Sequence, residues 1–79
     1  MKIVIKYCRI CNYLPVAARL GLDIRNEFGL DVEYKAAGSG VFDLFCDDVL
    51  VYSKLGAGDK FPGKGEAVSL LKKEIEKRK

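Results

Sequence analysis

The order of apolar patterns in the first half of the chain is the feature that most restricts its possible folds. Residues 2–6, KIVIK, are β-branched and apolar at their centre, which is typical of a strand buried on both faces. Residues 12–28 follow with a helical pattern, and residues 30–36 alternate between apolar and charged side chains, as a half-exposed strand does. A strand, a helix and a strand joined by short connections predict a right-handed crossover between two parallel strands.

Two residues support the predicted helix through their backbone preferences. Pro15 suits the first helical turn, because the N–H that proline lacks has no partner there. Gly29 suits the position just after a helix, because glycine readily adopts the left-handed conformation that ends one. We therefore expect the helix to end at Phe28.

The second half of the chain predicts a hairpin, a glycine-rich segment and a closing helix. Residues 41–46 and 49–53 have the composition of strands, and the two aspartates between them suit a tight turn. Residues 54–65 are too rich in glycine for regular structure. Residues 66–79 repeat apolar side chains at helical spacing, which predicts an amphipathic helix.

Length and composition allow one packed domain over residues 1–79. Of the 79 residues, 49% are hydrophobic and 32% are charged, which is sufficient for one small core. The predicted order is β-α-β-β-β-α, an α/β fold with a four-stranded mixed sheet and two helices. Lys6 interrupts the first apolar run, so neither a secretory signal nor a membrane span is indicated. We therefore expect a cytoplasmic protein without a membrane partner.

The charge distribution argues against nucleic acid as a partner. The net charge is +3, and much of it lies in the last eight residues, KKEIEKRK. Cations are favourable near a helix C-terminus, so a solvated helix end explains this cluster. The chain also contains no histidine, which removes the commonest general base and the commonest metal ligand.

Two cysteines three positions apart are the candidate reactive groups. Cys8 and Cys11 lie in the motif YCRICNY, between the first predicted strand and the N-terminus of the predicted helix. The unpaired N–H groups and the dipole at a helix N-terminus stabilise a thiolate, and Arg9 adds a positive charge nearby. Two thiols at this spacing can act on a disulfide in turn, one forming a mixed disulfide and the other resolving it. The pattern favours a redox pair.

A zinc site and simple packing are the alternatives to a redox pair. Zinc takes four ligands, whereas this chain offers only a third cysteine, Cys46, and no histidine, so a carboxylate or a second subunit would have to complete the site. Core packing is a poor explanation for the pair, because the two cysteines lie in a loop next to the charged Arg9. Cys46 itself shares a predicted strand face with Phe42 and Leu44, which favours a buried structural role. We expect neither a metal nor another cofactor.

Aromatic side chains indicate where a partner could dock. Tyr7 and Tyr13 bracket the two cysteines and could form an apolar collar, although half-buried packing explains them equally well. Phe61 lies in the glycine-rich segment, either as an exposed docking element or as a plug over the core. The sequence leaves both pairs of alternatives open.

Two motifs of the chain are characteristic: YCRICNY after the first strand, and GVFDLFCDDVLVYSK ahead of the glycine-rich segment and the closing helix. In these motifs the chain resembles the selenoprotein W family, the Rdx group of the SelT/SelW/SelH proteins. The resemblance spans nearly the whole chain and implies a thioredoxin-like fold. Selenium-containing members have selenocysteine at the second motif position, which is Cys11 here, so the chain resembles the cysteine-containing, mostly prokaryotic members.

The resemblance implies a thiol–disulfide oxidoreductase that acts on protein or glutathione disulfides through Cys8 and Cys11. The alternative is a redox-sensitive interaction module on the same scaffold, in which Phe61 and the glycine-rich segment dock a protein partner. Which cysteine attacks first is open. The selenocysteine position of the family favours Cys11, whereas in thioredoxins the first cysteine of the motif is the exposed attacker, which favours Cys8. We prefer Cys8, which we expect to be the more accessible thiol.

Overall fold

The computed structural model of the chain contains four strands and two helices and describes residues 2–56, 58, 60–63 and 65–77. The predicted order β-α-β-β-β-α is confirmed. Residues 78 and 79 of the predicted last helix lie outside the described residues. In chain order the elements are β1 (Ile3–Cys8), α1 (Leu14–Phe28), β2 (Val32–Ala37), β3 (Phe42–Cys46), β4 (Val49–Ser53) and α2 (Glu66–Lys77).

The four strands form one mixed sheet in the order β2-β1-β3-β4. β1 pairs in parallel with β2 and antiparallel with β3, and β4 pairs antiparallel with β3. The parallel pair confirms the crossover that the strand–helix–strand order predicts, since α1 connects its two strands. β1 is therefore a central strand, and the cysteine motif that follows it lies at the middle of one end of the sheet.

Two aspartates make the turn between β3 and β4. Asp47 and Asp48 have φ angles of 48° and 68°, in the left-handed region that aspartate tolerates better than most residues. Two consecutive left-handed residues match the tight hairpin turn that suits the twist of the strands, as predicted. The Lys2 N–H donates to Asp47 Oδ1 at 2.8 Å, and the Asp47 N–H donates to the Lys2 carbonyl at 2.9 Å. These bonds attach the turn to the start of the chain.

Helix α1 begins at Leu14, two residues after the predicted start, and ends at Phe28 as predicted. Its later start has a local cause: Asn12 has a φ of 59°, a left-handed conformation that a continuous right-handed helix excludes. Pro15 lies in the first turn, where its missing N–H leaves no bond unmade. Gly29, with a φ of 69°, caps the other end as expected. The described helices include none with the length and hydrophobicity that a bilayer span requires.

The core lies on one face of the sheet, between the strands and both helices. The prediction that Phe42, Leu44 and Cys46 share a buried face is confirmed, because each is 0% exposed. The core also includes residues from β1, β4 and the inner sides of α1 and α2. Its buried members are Ile3, Ile5, Ala17, Leu20, Ile24, Phe42, Leu44, Cys46, Tyr52, Ala67 and Leu71.

The opposite side of the sheet, which we call the open face, has none of the described helices packed on it. Side chains alternate between the two faces of a strand, so Val4, Lys6 and Cys8 of β1 belong to the open face together with Asp43 and Phe45 of β3. The Lys6 ammonium lies 4.9 Å from the centroid of the Phe45 ring, a cation–π contact on this face. Val4 and Cys8 are buried and yet lie outside the core cluster, in agreement with this assignment.

Candidate functional site

The sulfur atoms of Cys8 and Cys11 lie at disulfide-bonding distance. The Cα atoms of the two residues are 5.3 Å apart, a separation typical of disulfides. Cys8 is the last residue of β1 rather than a loop residue, because the strand extends beyond the predicted end at residue 6. Cys11 lies in the turn that leads to α1, so the pair lies between a strand and a helix as the sequence predicts.

Backbone hydrogen bonds hold both ends of the cysteine motif. The Cys8 N–H donates to the Val41 carbonyl at 2.7 Å, and the Cys8 carbonyl accepts the Tyr13 N–H at 3.3 Å. Within the turn, the Asn12 N–H donates to the Arg9 carbonyl at 3.2 Å. These bonds connect the turn to a central strand and keep the second sulfur beside the first.

The two cysteines differ in their exposure to solvent. Cys8 is 1% exposed, whereas Cys11 is exposed. The expectation that Cys8 is the more accessible thiol is therefore wrong. The physical reason is that Cys8 is a strand residue with its side chain against the sheet, while Cys11 lies in the turn above it. Of the two, Cys11 is therefore the cysteine that solvent reaches.

The sulfur of Cys8 has a hydrogen-bond donor directed at it. The Cys11 N–H donates to Cys8 Sγ at 3.1 Å. Such a donor stabilises a thiolate more than a thiol, which makes Cys8 the better leaving group when another thiol attacks Cys11. Arg9, predicted to stabilise the thiolate, is exposed, so solvent screens its charge. Its role stays a prediction.

The third cysteine does not join this pair. Cys46 pairs with Ile3 at the far end of β1, on the core face, whereas Cys8 lies on the open face. At about 3.3 Å per strand residue, the five positions from Ile3 to Cys8 span roughly 16 Å. The three cysteines therefore do not form one ligand set. Within the described part of the chain, no group of three histidine, cysteine, aspartate or glutamate side chains is placed to hold a metal ion.

Tyr13, Phe42 and Phe61 form an aromatic cluster beside the motif. The ring centroids of Tyr13 and Phe61 are 4.8 Å apart and those of Phe42 and Phe61 are 5.3 Å apart, both in edge-to-face arrangement. The buried Lys54 places its Nζ 5.3 Å from the centroids of Tyr13 and Phe61. Phe61 thus packs over the end of the core while it remains 39% exposed. Tyr7 is half-buried and packs against the core, and a docking role for these aromatics stays a prediction.

A second contact holds the glycine-rich segment near this cluster. The Tyr52 hydroxyl donates to the Lys60 carbonyl at 2.7 Å. Burial raises the pKa of the Tyr52 hydroxyl above its ordinary value, and Glu66 raises it further while Lys54 lowers it. The hydroxyl therefore keeps its proton, and its ability to donate, at neutral pH.

Replacing Phe61 by alanine is expected to lower the free energy of unfolding by about 1–3 kcal/mol, because it removes two aromatic contacts and part of the cover of the core. Denaturant unfolding measures this change. Leu55→Ala in the same segment is the control. Leu55 is exposed, so its loss should change the free energy by less than about 0.5 kcal/mol. Equally small effects of both changes would contradict the packing of Phe61.

One residue of the site was missed in the sequence. Ile10 is 93% exposed at the tip of the turn, between the two cysteines. Leu14 and Leu55 are also exposed, and Leu55 lies near Gly40, just before the residue that bonds to Cys8. Ile10 could have been noticed in the sequence as an apolar residue between the two cysteines of the motif.

The fold and the cysteine pair together define a class: small α/β proteins with a cysteine pair between a central strand and the following helix. Residues 2–73 match the model of the Rdx family. The chain therefore belongs to the Rdx family, a selenoprotein W-like family that is generally redox-related.

Two curated relatives are similar over most of this chain. Migration and invasion enhancer 1 from Bos taurus is 26% identical over 74 residues, which cover 92% of this chain and 64% of that protein. The protein of the same name from Mus musculus is 28% identical over 72 residues, covering 90% and 62%. The chain thus spans less than two thirds of the length of these relatives.

Two crystal structures have the same fold. A selenoprotein W-related protein from Vibrio cholerae has a TM-score of 0.71 and 30% identity, covering 96% of this chain and 92% of that one. A protein from Bordetella parapertussis has a TM-score of 0.84 and 21% identity, covering 92% and 95%. The first supports the resemblance to selenoprotein W, and the second supports the fold alone.

Proposed function

We propose that this chain is a thiol–disulfide oxidoreductase that cycles Cys8 and Cys11 between a disulfide and a dithiol. The observation that supports the proposal is the asymmetry of the pair. The sulfurs are within bonding distance, Cys11 is exposed, and Cys8 is buried with a hydrogen bond to its sulfur. The general redox character of the Rdx family agrees with it.

Exchange begins at the exposed sulfur. In the reducing direction, the Cys11 thiolate attacks one sulfur of a substrate disulfide, and the other substrate sulfur leaves as a thiolate that takes a proton from water. Cys8 then loses its proton and attacks the Cys11 sulfur, which forms the intramolecular disulfide and releases the second substrate thiol. Two electrons pass from the pair to the substrate.

Cys11 and Cys8 have the same roles when the disulfide between them is reduced. A reducing thiol attacks the exposed Cys11 sulfur, and Cys8 leaves as a thiolate stabilised by the Cys11 N–H. Cys11 is thus the exchanging sulfur and Cys8 the resolving one. Attack through Cys8 would require the turn to open first, because Cys8 is buried.

The substrate class that we propose is protein or glutathione disulfides. The exposed Cys11, between strand and helix as in thioredoxin-like proteins, is accessible to both kinds of disulfide. The cysteine pair is itself the redox group, so no further cofactor is required. We place the activity in the cytoplasm, where reduced thiols are abundant enough to restore the dithiol.

Equilibration with glutathione buffers tests the proposal. We expect the pair to titrate as a two-electron couple with a midpoint of roughly −180 to −300 mV, the range of thiol oxidoreductases and cellular thiol pools. Thiol alkylation followed by mass measurement reports the fraction oxidised. A Cys46→Ala variant is the control and should titrate identically, because Cys46 lies in the core. A pair that stays reduced across the range contradicts the proposal.

The redox-sensitive interaction module is the second candidate, and the exposure of Ile10 favours it. On this view the apolar tip of the turn contacts a partner, and oxidation of the pair changes the shape of the turn. An Ile10→Asp variant that loses a partner but retains disulfide exchange would support the module. A partner retained by this variant would count against it.

A further inference from the structure

Asp43 of β3 has a buried carboxylate oxygen with no hydrogen-bond donor among the described residues. Asp43 Oδ1 is withdrawn from solvent, and none of the described residues donates a hydrogen bond to it. A buried acceptor without a donor is costly, so such an atom in a folded protein requires a physical reason. The sequence alone indicates only a strand residue at this position.

The strand register places this carboxylate near the redox pair. Lys6 of β1 is opposite Asp43 of β3, and the Cys8 N–H continues the pairing by donating to the Val41 carbonyl. Cys8 and Asp43 are therefore diagonal neighbours on the open face, a relation that separates Cα atoms by roughly 7–8 Å. At that spacing, one water molecule spans the gap between a carboxylate and a thiol.

The side chains that face Asp43 on the adjacent strands are engaged elsewhere. Lys6 faces it from β1 and Ser53 from β4. The Lys6 ammonium lies over the Phe45 ring, and the Ser53 hydroxyl accepts the Gly56 N–H at 3.2 Å. Neither donates to Oδ1, so that atom can accept a proton.

We propose that Asp43 accepts the proton of the buried Cys8 thiol, through one water, when Cys8 resolves the mixed disulfide on Cys11. This inference rests on the proposed exchange. Only a thiolate attacks a disulfide, and the Cys8 thiol is 1% exposed, so bulk water has little access to its proton. A carboxylate on the same sheet face provides a path for it.

Atoms and electrons balance in this step. The proton of Cys8 Sγ passes through the water to Asp43 Oδ1, and an electron pair of the Cys8 sulfur forms the bond to the Cys11 sulfur. The bond between Cys11 and the substrate sulfur breaks, and its electron pair leaves with the substrate thiolate. That thiolate takes a proton from water, and Asp43 returns its proton to solvent. The pair is oxidised and the substrate disulfide is reduced.

Asp43→Asn tests this role, because asparagine keeps the shape and removes the proton acceptor. The reduced chain is mixed with a chromogenic aromatic disulfide, which releases one thiol on attack by Cys11 and a second when Cys8 resolves the adduct. We expect an unchanged first phase and a second phase slowed on the order of 10²-fold at about pH 6. The slowing should shrink as the pH rises toward about 9, because hydroxide can then remove the thiol proton without the carboxylate.

Three further variants complete the experiment. Asp31→Asn removes the same charge from an exposed position and should leave both phases unchanged. Asp43→Ser lacks a carboxylate in a smaller side chain and should reproduce the pH-dependent slowing, which keeps the test decisive if the asparagine variant does not fold. Asp43→Glu keeps a carboxylate and should recover part of the second-phase rate.

Three outcomes would overturn the proposal. Second-phase rates equal to those of the unmodified chain at every pH remove the role of Asp43 and leave the exchange mechanism intact. A slowing of the same size at every pH shows a structural disturbance rather than proton transfer. An unmodified chain that releases only one thiol contradicts the exchange mechanism itself, and with it the role of Asp43.

Discussion

Replacing Cys11 by serine is expected to reduce disulfide exchange to the uncatalysed background, whereas Cys8→Ser is expected to stop the reaction at the mixed disulfide. Cys11 is the exposed cysteine, so without it we expect no mixed disulfide to form. Without Cys8 the mixed disulfide forms on Cys11 but has no resolving thiol, and it accumulates. Intact-mass measurement after incubation with glutathione disulfide detects the adduct as one bound glutathione per chain.

Cys46→Ala is the matched control for these two variants. It removes a cysteine that is buried in the core, far from the motif, and should leave the exchange rate unchanged. The reverse pattern, in which the adduct accumulates in Cys11→Ser and not in Cys8→Ser, would show that Cys8 attacks first. The same experiment with protein disulfides from a cell lysate reports which substrates the exposed sulfur reaches.

Replacing Phe42 by alanine is expected to lower the free energy of unfolding by about 3–5 kcal/mol, the usual cost of deleting a fully buried aromatic ring. Phe42 is 0% exposed and contacts Tyr13 and Phe61. The free energy of unfolding of a small domain is only about 5–15 kcal/mol in total. This variant should therefore be partly or wholly unfolded at moderate temperature. Urea unfolding followed by circular dichroism measures the loss.

Phe45→Ala is the control on the other face of the same strand. The same ring is removed, but Phe45 is half-buried on the open face, next to Lys6. Its loss should cost about 1–2 kcal/mol, because less apolar surface returns to water. Equal losses from the two variants would contradict the arrangement in which both helices pack on the Phe42 side of the sheet.

The element order could be predicted from the sequence because it depends on local periodicity. The apolar run of β1, the helical spacing of α1 and the alternation of β2 each follow from a repeat within a few residues. The ends of the elements do not follow from these repeats. The left-handed conformation of Asn12 delays α1, and the pairing of Cys8 with β2 extends β1 through the first cysteine. The first is a local backbone conformation that the apolar pattern does not show, and the second is a tertiary effect.

The candidate site was only partly predictable. The spacing of Cys8 and Cys11 and their place between a strand and a helix indicated a redox pair. Their unequal exposure was not predictable, because it depends on which of them belongs to the sheet. The buried oxygen of Asp43 was equally invisible, since its position beside Cys8 follows from the antiparallel register of β1 and β3.

The sequence by itself determined the candidate reactive groups and the order of the elements, because both depend on residue type and on spacing along the chain. Only the tertiary structure decided which cysteine is exposed and which carboxylate is a diagonal neighbour of the buried cysteine. Both depend on strand pairing, which brings together residues more than thirty positions apart, such as Cys8 and Asp43. YCRICNY thus specifies the pair, and the sheet gives its two cysteines different exposure.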